Sequence, residues 1–451
     1  MATFQAAPDQ VSSLLYRIQE ARARTDALFQ LLPPNSFYDR PIPERHRLIF
    51  YLGHLETFDW NLLSGVLGLE AFNPEFDKLF AFGIDPVGGG LPADTPADWP
   101  GIAQIEKYNS LIRAKIDDRL LNTAGANETL LHVAVEHRLM HAETLAYLLH
   151  NLPLDRKNAP AVDSPDSHPA GSRPSAAPAP KPYSVEIPGG TATLGQSGQG
   201  IHSFGWDNEF GGQEIQVPRF AIDAFPVSNG EFLKFVHAGG YEDSSYWKPE
   251  DWEWRRRQQL QYPHFWVQRS SAAPSDPDTQ WDYRAMFGIM PLPLSWPVYV
   301  SHAEASAFAQ WAGKKLPTEA QWHRAAYGTP SGEERIYPWG DEHPDASRGN
   351  FHHERWDASP VDAHPAGASA FGAMDLLGNG WEWSSTVFAP LPGFKPFAFY
   401  PGYSADFFDG KHFVMKGGSP RTDACMLRRS FRNWFQPHYS YVYATFRCVE
   451  E

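Results

Sequence analysis

Residues 128–151, ETLLHVAVEHRLMHAETLAYLLHN, decide how the N-terminal third of the chain is read. Val133, Ala134, Met140, Leu145 and Leu148 fall toward one side of the helix that this spacing predicts. His137 and His141 share that inward stripe one turn apart, so two imidazoles project from one face and can converge on one metal ion without strain. Imidazoles facing a bundle core are costly unless hydrogen-bonded or bound to something. HxxxH alone also describes an ordinary hydrogen-bonded pair of core histidines.

Upstream, Val11, Leu14, Leu15, Ile18, Ala21, Leu28 and Leu32 keep a helical spacing, with Asp9 as N-cap and Pro33-Pro34 as the stop. The stretch 44–69, ERHRLIFYLGHLETFDWNLLSGVLGL, follows Pro43 and is apolar almost all round, as a buried helix is. Another helix is expected over 102–121. Four such helices predict an antiparallel bundle. His54 lies four residues from both Phe50 and Phe58 and shares their apolar face, where a bundle interior lets it meet the other two histidines. Three neutral nitrogens suit Fe(II), Zn(II) or Cu(II) and leave coordination positions open. Glu143 points elsewhere on its helix and reads as a supporting or surface group, and His46, His132 and His150 as surface or ordinary structural residues. Between the second and third helices, IDPVGGGLPADTPADWPG (84–101) is too long and too rich in Gly and Pro for a mere connector; such loops more often cover a site or move, and a lid limiting water around an oxidising iron would make sense, although the sequence does not say whether this one closes.

The chain has 451 residues, 38 Lys+Arg against 53 Asp+Glu, and a net charge of −15, the wrong sign for a nucleic-acid or anionic-membrane partner. No run approaches the roughly 20 apolar residues of a membrane span. Residues 1–10 lack the basic and apolar segments of a signal peptide, so a soluble, cytoplasmic protein is expected. Two cysteines, Cys425 and Cys448, give neither a disulfide framework nor a cysteine metal cluster, which leaves His, Asp or Glu as ligands. The Pro/Ala/Ser-rich NAPAVDSPDSHPAGSRPSAAPAPKP (158–182) reads as an extended linker. The expected organisation is a bundle at 1–154, a linker at 155–182 and a second domain at 183–451, together an α+β chain.

Beyond Tyr183 the texture is short apolar runs, many Gly and Pro and most of the 16 Trp, with one clear helix at 303–312 and another opening at Thr318. Thr318-Glu319-Ala320-Gln321 is a capping box. Phe431-Arg432-Asn433-Trp434-Phe435-Gln436 follows a Gly417-Gly418-Ser419 turn; indole faces are good receptors for a quaternary ammonium, and Asn433 adds directional hydrogen bonds. Tyr400, Tyr403, Tyr439, Tyr441 and Tyr443 either supply a phenol proton near a metal or simply pack.

These features together carry a resemblance. IPGG (187–190), GWDNE (205–209), KLPTEAQWHRAA (315–326), YPWGD (337–341), GNGWEW (378–383), KGGS (416–419), FRNW (431–434) and FRC (446–448), in that order, resemble the formylglycine-generating-enzyme domain, a C-type-lectin-like fold. Residues 9–151 are similar to a DinB-type four-helix bundle at His54 and HxxxHxE. The combination resembles the non-haem iron sulfoxide synthases of ergothioneine and ovothiol biosynthesis and their selenoneine-forming relatives. That resemblance implies Fe(II) held by His54, His137 and His141, O2 as co-substrate, and a hercynine pocket that includes Asn433 and Trp434. The family's catalytic tyrosine comes from the stretch holding Tyr400 and Tyr403.

Departures narrow the reading. The copper-binding cysteine pair of the formylglycine-generating oxidase is missing, because Ser430 stands five residues after Cys425, so that activity is rejected. Where synthases that use gamma-glutamylcysteine carry Asp after Asn-Trp, this chain carries Phe435. The opening RPIPERHRLIFYLGHLETFDWNLL (40–63) looks most like the selenoneine-forming branch, which implies a selenosugar donor to hercynine. The nearest alternative is a sulfoxide synthase using cysteine or another thiol. Of other classes, a non-catalytic lectin-like binding protein with a structural metal and a DinB-type thiol transferase stay open.

Overall fold

A computed structural model of the chain describes residues 8–81, 92–122, 127–160, 178–196, 204–269 and 280–451, with side chains from Ser13. It divides into two compact units, Met1–Pro160 and Ala161–Glu451.

The first unit consists of α1 (Pro8–Phe29), α2 (Leu48–Leu63), the short α3 (Pro74–Leu79), α4 (Ile102–Asn122) and α5 (Glu128–Asn151). Both α1 and α2 pack against both α4 and α5. Leu14 and Ile18, Ile49 and Phe50, Ile105 and Ile112, and Val133, Leu145 and Leu148 fill the space between them. Met140, expected inward, is half-buried. Asn127 caps α5 by accepting the Leu130 N–H.

The second helix is shorter than expected. The chain first turns at Ile42–Arg45, and α2 starts only at Leu48, whose N–H donates to the Asp39 carbonyl. At its far end the backbone winds on to Gly68 at φ +64°, where the Leu69 N–H closes onto the Ser64 carbonyl. Helix α3 was absent from the sequence reading because six residues carry no usable periodicity, although Asn73 caps it and Pro74 opens it. Residues 84–91 of the 84–101 loop, the side chain of Asp9 and residues 161–177 of the linker lie outside the described residues. From Pro92 onward the loop is ordered by a Thr95–Asp98 capping box around one turn of 3-10 helix, Pro96–Asp98. Among the described residues, no helix is long and apolar enough to cross a membrane.

The second unit holds twelve short strands among its described residues. β1 (Ser184–Ile187), β4 (Phe220–Asp223) and β12 (Val449–Glu450) form one sheet with β4 central, and β2 (Gly190–Leu194) pairs with β3 (Gln213–Val217). β5 (Trp266–Gln268), β6 (Trp281–Ala285) and β7 (Gly288–Pro291) form a meander. The fourth sheet runs in the order β10 (Asn433–Phe435), β9 (Phe413–Gly418), β8 (Gly380–Val387), β11 (Ala444–Thr445). Helices α6 (Asn229–His237), α7 (Pro249–Gln258), α8 (His302–Trp311) and α9 (Glu319–Tyr327) complete it. The expected helix at 303–312 is α8, and the Thr318 capping box opens α9. Neither α6 nor α7 was expected. For α6 a capping box of Ser228 and Glu231 was there to be read, whereas α7, PEDWEWRRRQ, is too polar to show a face.

Three of the ordered motifs meet at one carboxylate. Glu382 accepts from Trp322 Nε1 at 2.8 Å and, through both oxygens, from Arg447 at 2.7 Å. All three side chains are buried, so these residues hold the fold together rather than meet substrate.

Nearby, Asp375 is buried at φ +57° and accepts from Asn379 Nδ2 at 2.7 Å. Burial is the main reason its carboxyl is pushed from 3.8 up to about 8, with Glu382 and Asp362 adding to it. A raised folded-state pKa gives stability that is complete below the unfolded value and is lost as pH rises through the folded one. Stability is therefore expected to decline between about pH 4 and about pH 8. Asp375→Asn, which keeps the shape and tolerates positive φ, removes that slope. In urea titrations the variant should match the parent near pH 4 and exceed it by about 5 kcal/mol near pH 9. A difference that stays the same at both pH values contradicts the assignment.

Candidate metal centre

His54 comes from the middle of α2, and His137 and His141 from successive turns of α5. Each offers one ring nitrogen, and these three atoms lie within 4.8 Å of one another. The ring centroids stand 5.3 Å (His54–His137), 5.0 Å (His54–His141) and 4.5 Å (His137–His141) apart. All three residues are buried, the most open being His141 at 9%.

Neighbours fix the rings. The Phe80 carbonyl, just past α3, accepts a 2.7 Å bond from His54 Nδ1, so the proton sits on Nδ1 and the Nε2 lone pair is left for the cluster. Phe50 stacks on His54 at 4.9 Å, and Phe58 on His137 at 3.4 Å with planes 12° apart. Burial lowers His54 to about 4 and holds His137 and His141 well below their ordinary value, with the neighbouring imidazoles adding to it. At neutral pH the cluster is thus uncharged and its lone pairs are available.

Nε2 of His54 and Nδ1 of His141 are buried with no hydrogen-bond partner among the described residues. Buried polar atoms are nearly always satisfied, and a nitrogen left so costs roughly 1–3 kcal/mol. A divalent ion among three neutral nitrogens removes that cost, so the residues present fit a metal.

Around the cluster runs a buried ionic brace. Arg138, beside His137, donates to Glu56 at 2.9 Å and to Asp59 at 2.7 Å. Arg113 of α4 donates to Glu56 at 2.6 Å and grips Asp26 of α1 with two bonds of 2.6 and 2.7 Å. All four long helices are thereby tied together. Burial opposes ionisation of Glu56, but Arg138, Arg113 and Arg22 outweigh it and hold the carboxyl at about 2.

The other expected residues fall outside the cluster. Glu143 is half-buried and is not among the converging ligands. His46 stacks on Phe50 at 4.2 Å, His132 stands 3.6 Å from Glu128, and His150 is buried with its carbonyl accepting from Lys157.

In the second unit, β9 holds Asn433, Trp434 and Phe435 in register with Met415, Val414 and Phe413. All three are half-buried. Asn433 Oδ1 accepts the Trp434 N–H at 2.8 Å. One face of the Trp434 indole lies on Phe388 at 4.2 Å, with Tyr403 at 5.5 Å and Phe407 at 5.6 Å. Tyr403 is buried and stacks on Trp206 at 4.0 Å. Tyr400 lies 5.6 Å from Tyr403, and burial, with Asp207 beside it, pushes its phenol up. Phe435 stacks on Tyr439 at 4.9 Å.

Sequence reasoning missed Phe80, Phe388 and Phe407. The first acts through a backbone atom, which leaves no trace in residue type, and of the others Phe388 directly follows β8 and Phe407 lies in one turn of 3-10 helix, segments too short to show periodicity. Trp206 lay in plain view inside GWDNE.

Residues 171–451 match the sulfatase-modifying factor enzyme 1-like domain. A protein named hercynine oxygenase from Mycolicibacterium smegmatis is 36% identical over 376 residues, 81% of each chain. Its namesake from Mycobacterium tuberculosis is 40% identical over 246 residues, 54% of this chain and 55% of that one. Ergothioneine biosynthesis protein 1 of Neurospora crassa is 27% identical over 504 residues, 94% of this chain and 56% of that one. In the last two cases the chain spans only about half the relative's length.

Proposed function

The chain belongs to the sulfatase-modifying factor enzyme 1-like family, and on that premise we propose that it is an O2-dependent mononuclear iron enzyme that joins a chalcogen donor to the imidazole C2 of hercynine. The observation that carries this reading is the buried, uncharged His54–His137–His141 cluster with its unsatisfied nitrogens. The names of the relatives supply the substrate, and the helical unit with HxxxH is similar to a DinB-type bundle. Our lead donor is a selenosugar: the selenoxide loses its sugar by elimination to leave a selenenic acid, which an external thiol, oxidised to its disulfide, reduces to selenoneine with release of water. It rests on the resemblance of residues 40–63 and on Phe435, which offers no carboxylate to a donor's amino group. The second reading is a thiol donor such as cysteine, favoured by the relatives' names.

His54, His137 and His141 would hold iron(II) through neutral nitrogens, leaving it a full charge that would favour an anionic selenolate or thiolate and would supply O2 activation. The balance is C2–H plus R–SeH plus O2, giving C2–Se(=O)–R plus water, and likewise for sulfur. The chain's own residues do the rest. The Phe80 carbonyl fixes the His54 tautomer, and Phe50 and Phe58 hold the rings and keep water from the ligands. Trp434, Tyr403 and Phe407 offer aromatic surface to the trimethylammonium group, and the Asn433 amide N–H groups can meet its carboxylate. Tyr400, whose phenol stays protonated at neutral pH, and Tyr403 are the candidate proton donors.

The test is O2 uptake by the Fe(II)-loaded chain. Uptake is expected only with hercynine and a donor both present, and none is expected from the zinc-loaded chain. Uptake independent of hercynine rejects the proposal, and zinc held in a closed four-ligand site moves the chain to the binding-protein reading. Trp434→Ala is expected to raise the hercynine Kd about tenfold while leaving unchanged that of 3-(imidazol-4-yl)propionate, which has no ammonium group, since a cation–π contact gives up to about 2 kcal/mol. Calorimetry with both ligands checks this, and equal losses for the two would remove the ammonium role.

A further inference from the structure

Asp94, in the stretch before α4, collects donors from two sides. Its carboxylate accepts from Arg40, from Arg47 Nε at 2.9 Å and from Trp99 Nε1 at 2.8 Å. Its carbonyl accepts from Arg47 Nη2 at 2.9 Å, while Arg40 Nη1 reaches the Pro92 carbonyl at 2.9 Å. Arg47 is the N-cap residue of α2, so this stretch is tied to the start of the helix that carries His54.

Trp99 is what the carboxylate holds in place. Its indole meets Phe50 edge-on at 5.9 Å and lies 6.0 Å from Phe80 with planes 27° apart. Each of those phenylalanines sets His54, Phe50 by stacking and Phe80 through its carbonyl. Phe80 also lies directly on α2, since a Cβ built on Gly53 would come within 2.6 Å of its ring.

We propose that Asp94 is a positioning residue of the metal centre: through Trp99 it holds Phe50 and Phe80, and with them His54, and it anchors this contact to Arg40 and Arg47. The inference rests on the three-histidine reading. Hydrogen-bonded partners of metal ligands commonly contribute 10–100-fold to metal affinity, and a group acting one contact further out belongs at the lower end.

Co(II) is the probe, added to the full metal-free chain and followed by its visible ligand-field band. In Asp94→Ala the Co(II) Kd is expected to rise about tenfold and the band to shift, with Asp94→Glu recovering most of the affinity. Gly53→Ala supplies a second route. Alanine favours the helix, so its effect must come from displacing Phe80, and it should weaken Co(II) and shift the band in the same direction. Asp39→Asn, which breaks a 2.7 Å bond to Arg156 away from the site, should lower the melting temperature and leave the band alone. A parent chain without a His141-dependent band overturns the metal reading and this inference with it. A parent that binds, beside Asp94→Ala and Gly53→Ala variants with parental Kd and band, overturns the positioning role alone.

Discussion

Replacing His141 by Leu is expected to abolish turnover and to weaken metal binding by more than about 100-fold, the upper end for groups that merely hydrogen-bond to ligands. The same change should make the metal-free protein more stable, by about 1 kcal/mol. In the parent, Nδ1 of His141 is buried with no hydrogen-bond partner among the described residues, and an apolar side chain of similar size carries no such penalty. Four melting curves, of each protein with and without metal, and a metal titration of each decide it. The parent should gain melting temperature with Fe(II) or Co(II), whereas the variant should start higher and gain nothing. An ordinary core histidine predicts the opposite, a loss of stability in the variant and no metal-dependent gain in the parent.

The second large effect is structural. Arg138→Met should destabilise the helical unit by about 3–5 kcal/mol, because Glu56 and Asp59 are left buried without their shared cation. Adding Asp59→Asn should recover much of that loss, since it removes the carboxylate left without a cation while Glu56 keeps Arg113. Urea unfolding followed by helix content gives both numbers. A loss below about 1 kcal/mol for the single variant would mean that water reaches the brace and that it does not support the histidine-bearing helices.

What could be read from the sequence divides along physical lines. The residues α1, α4 and α5 use were legible because each has several turns of apolar spacing, and His54, His137 and His141 because a fixed interval on one helix face and an apolar neighbourhood survive in the linear chain. Boundaries of α2 were not, since a run apolar on all sides has no phase to mark where Gly68 turns the backbone. Helices α3 and α7 escaped for opposite reasons, one too short and the other too polar. The Phe80 carbonyl and the aromatic surround of Trp434 are assembled by short segments, where residue type says little about direction. Ordered motifs such as GNGWEW and FRC were visible, but that they converge on the Glu382 carboxylate needed coordinates.

The proposed reaction forms a new carbon–chalcogen bond at hercynine C2 at the three-histidine centre. Its most direct test is mass spectrometry of the products when the Fe(II)-loaded chain is held in air with hercynine and an equimolar mixture of a 1-selenosugar, cysteine and gamma-glutamylcysteine, beside His141→Leu. A hercynine adduct of the selenosugar is expected in the parent and none in the variant, while a sulfoxide adduct of a thiol would transfer the chain to the second reading. No adduct from any donor, with iron at full occupancy, contradicts the proposed reaction outright.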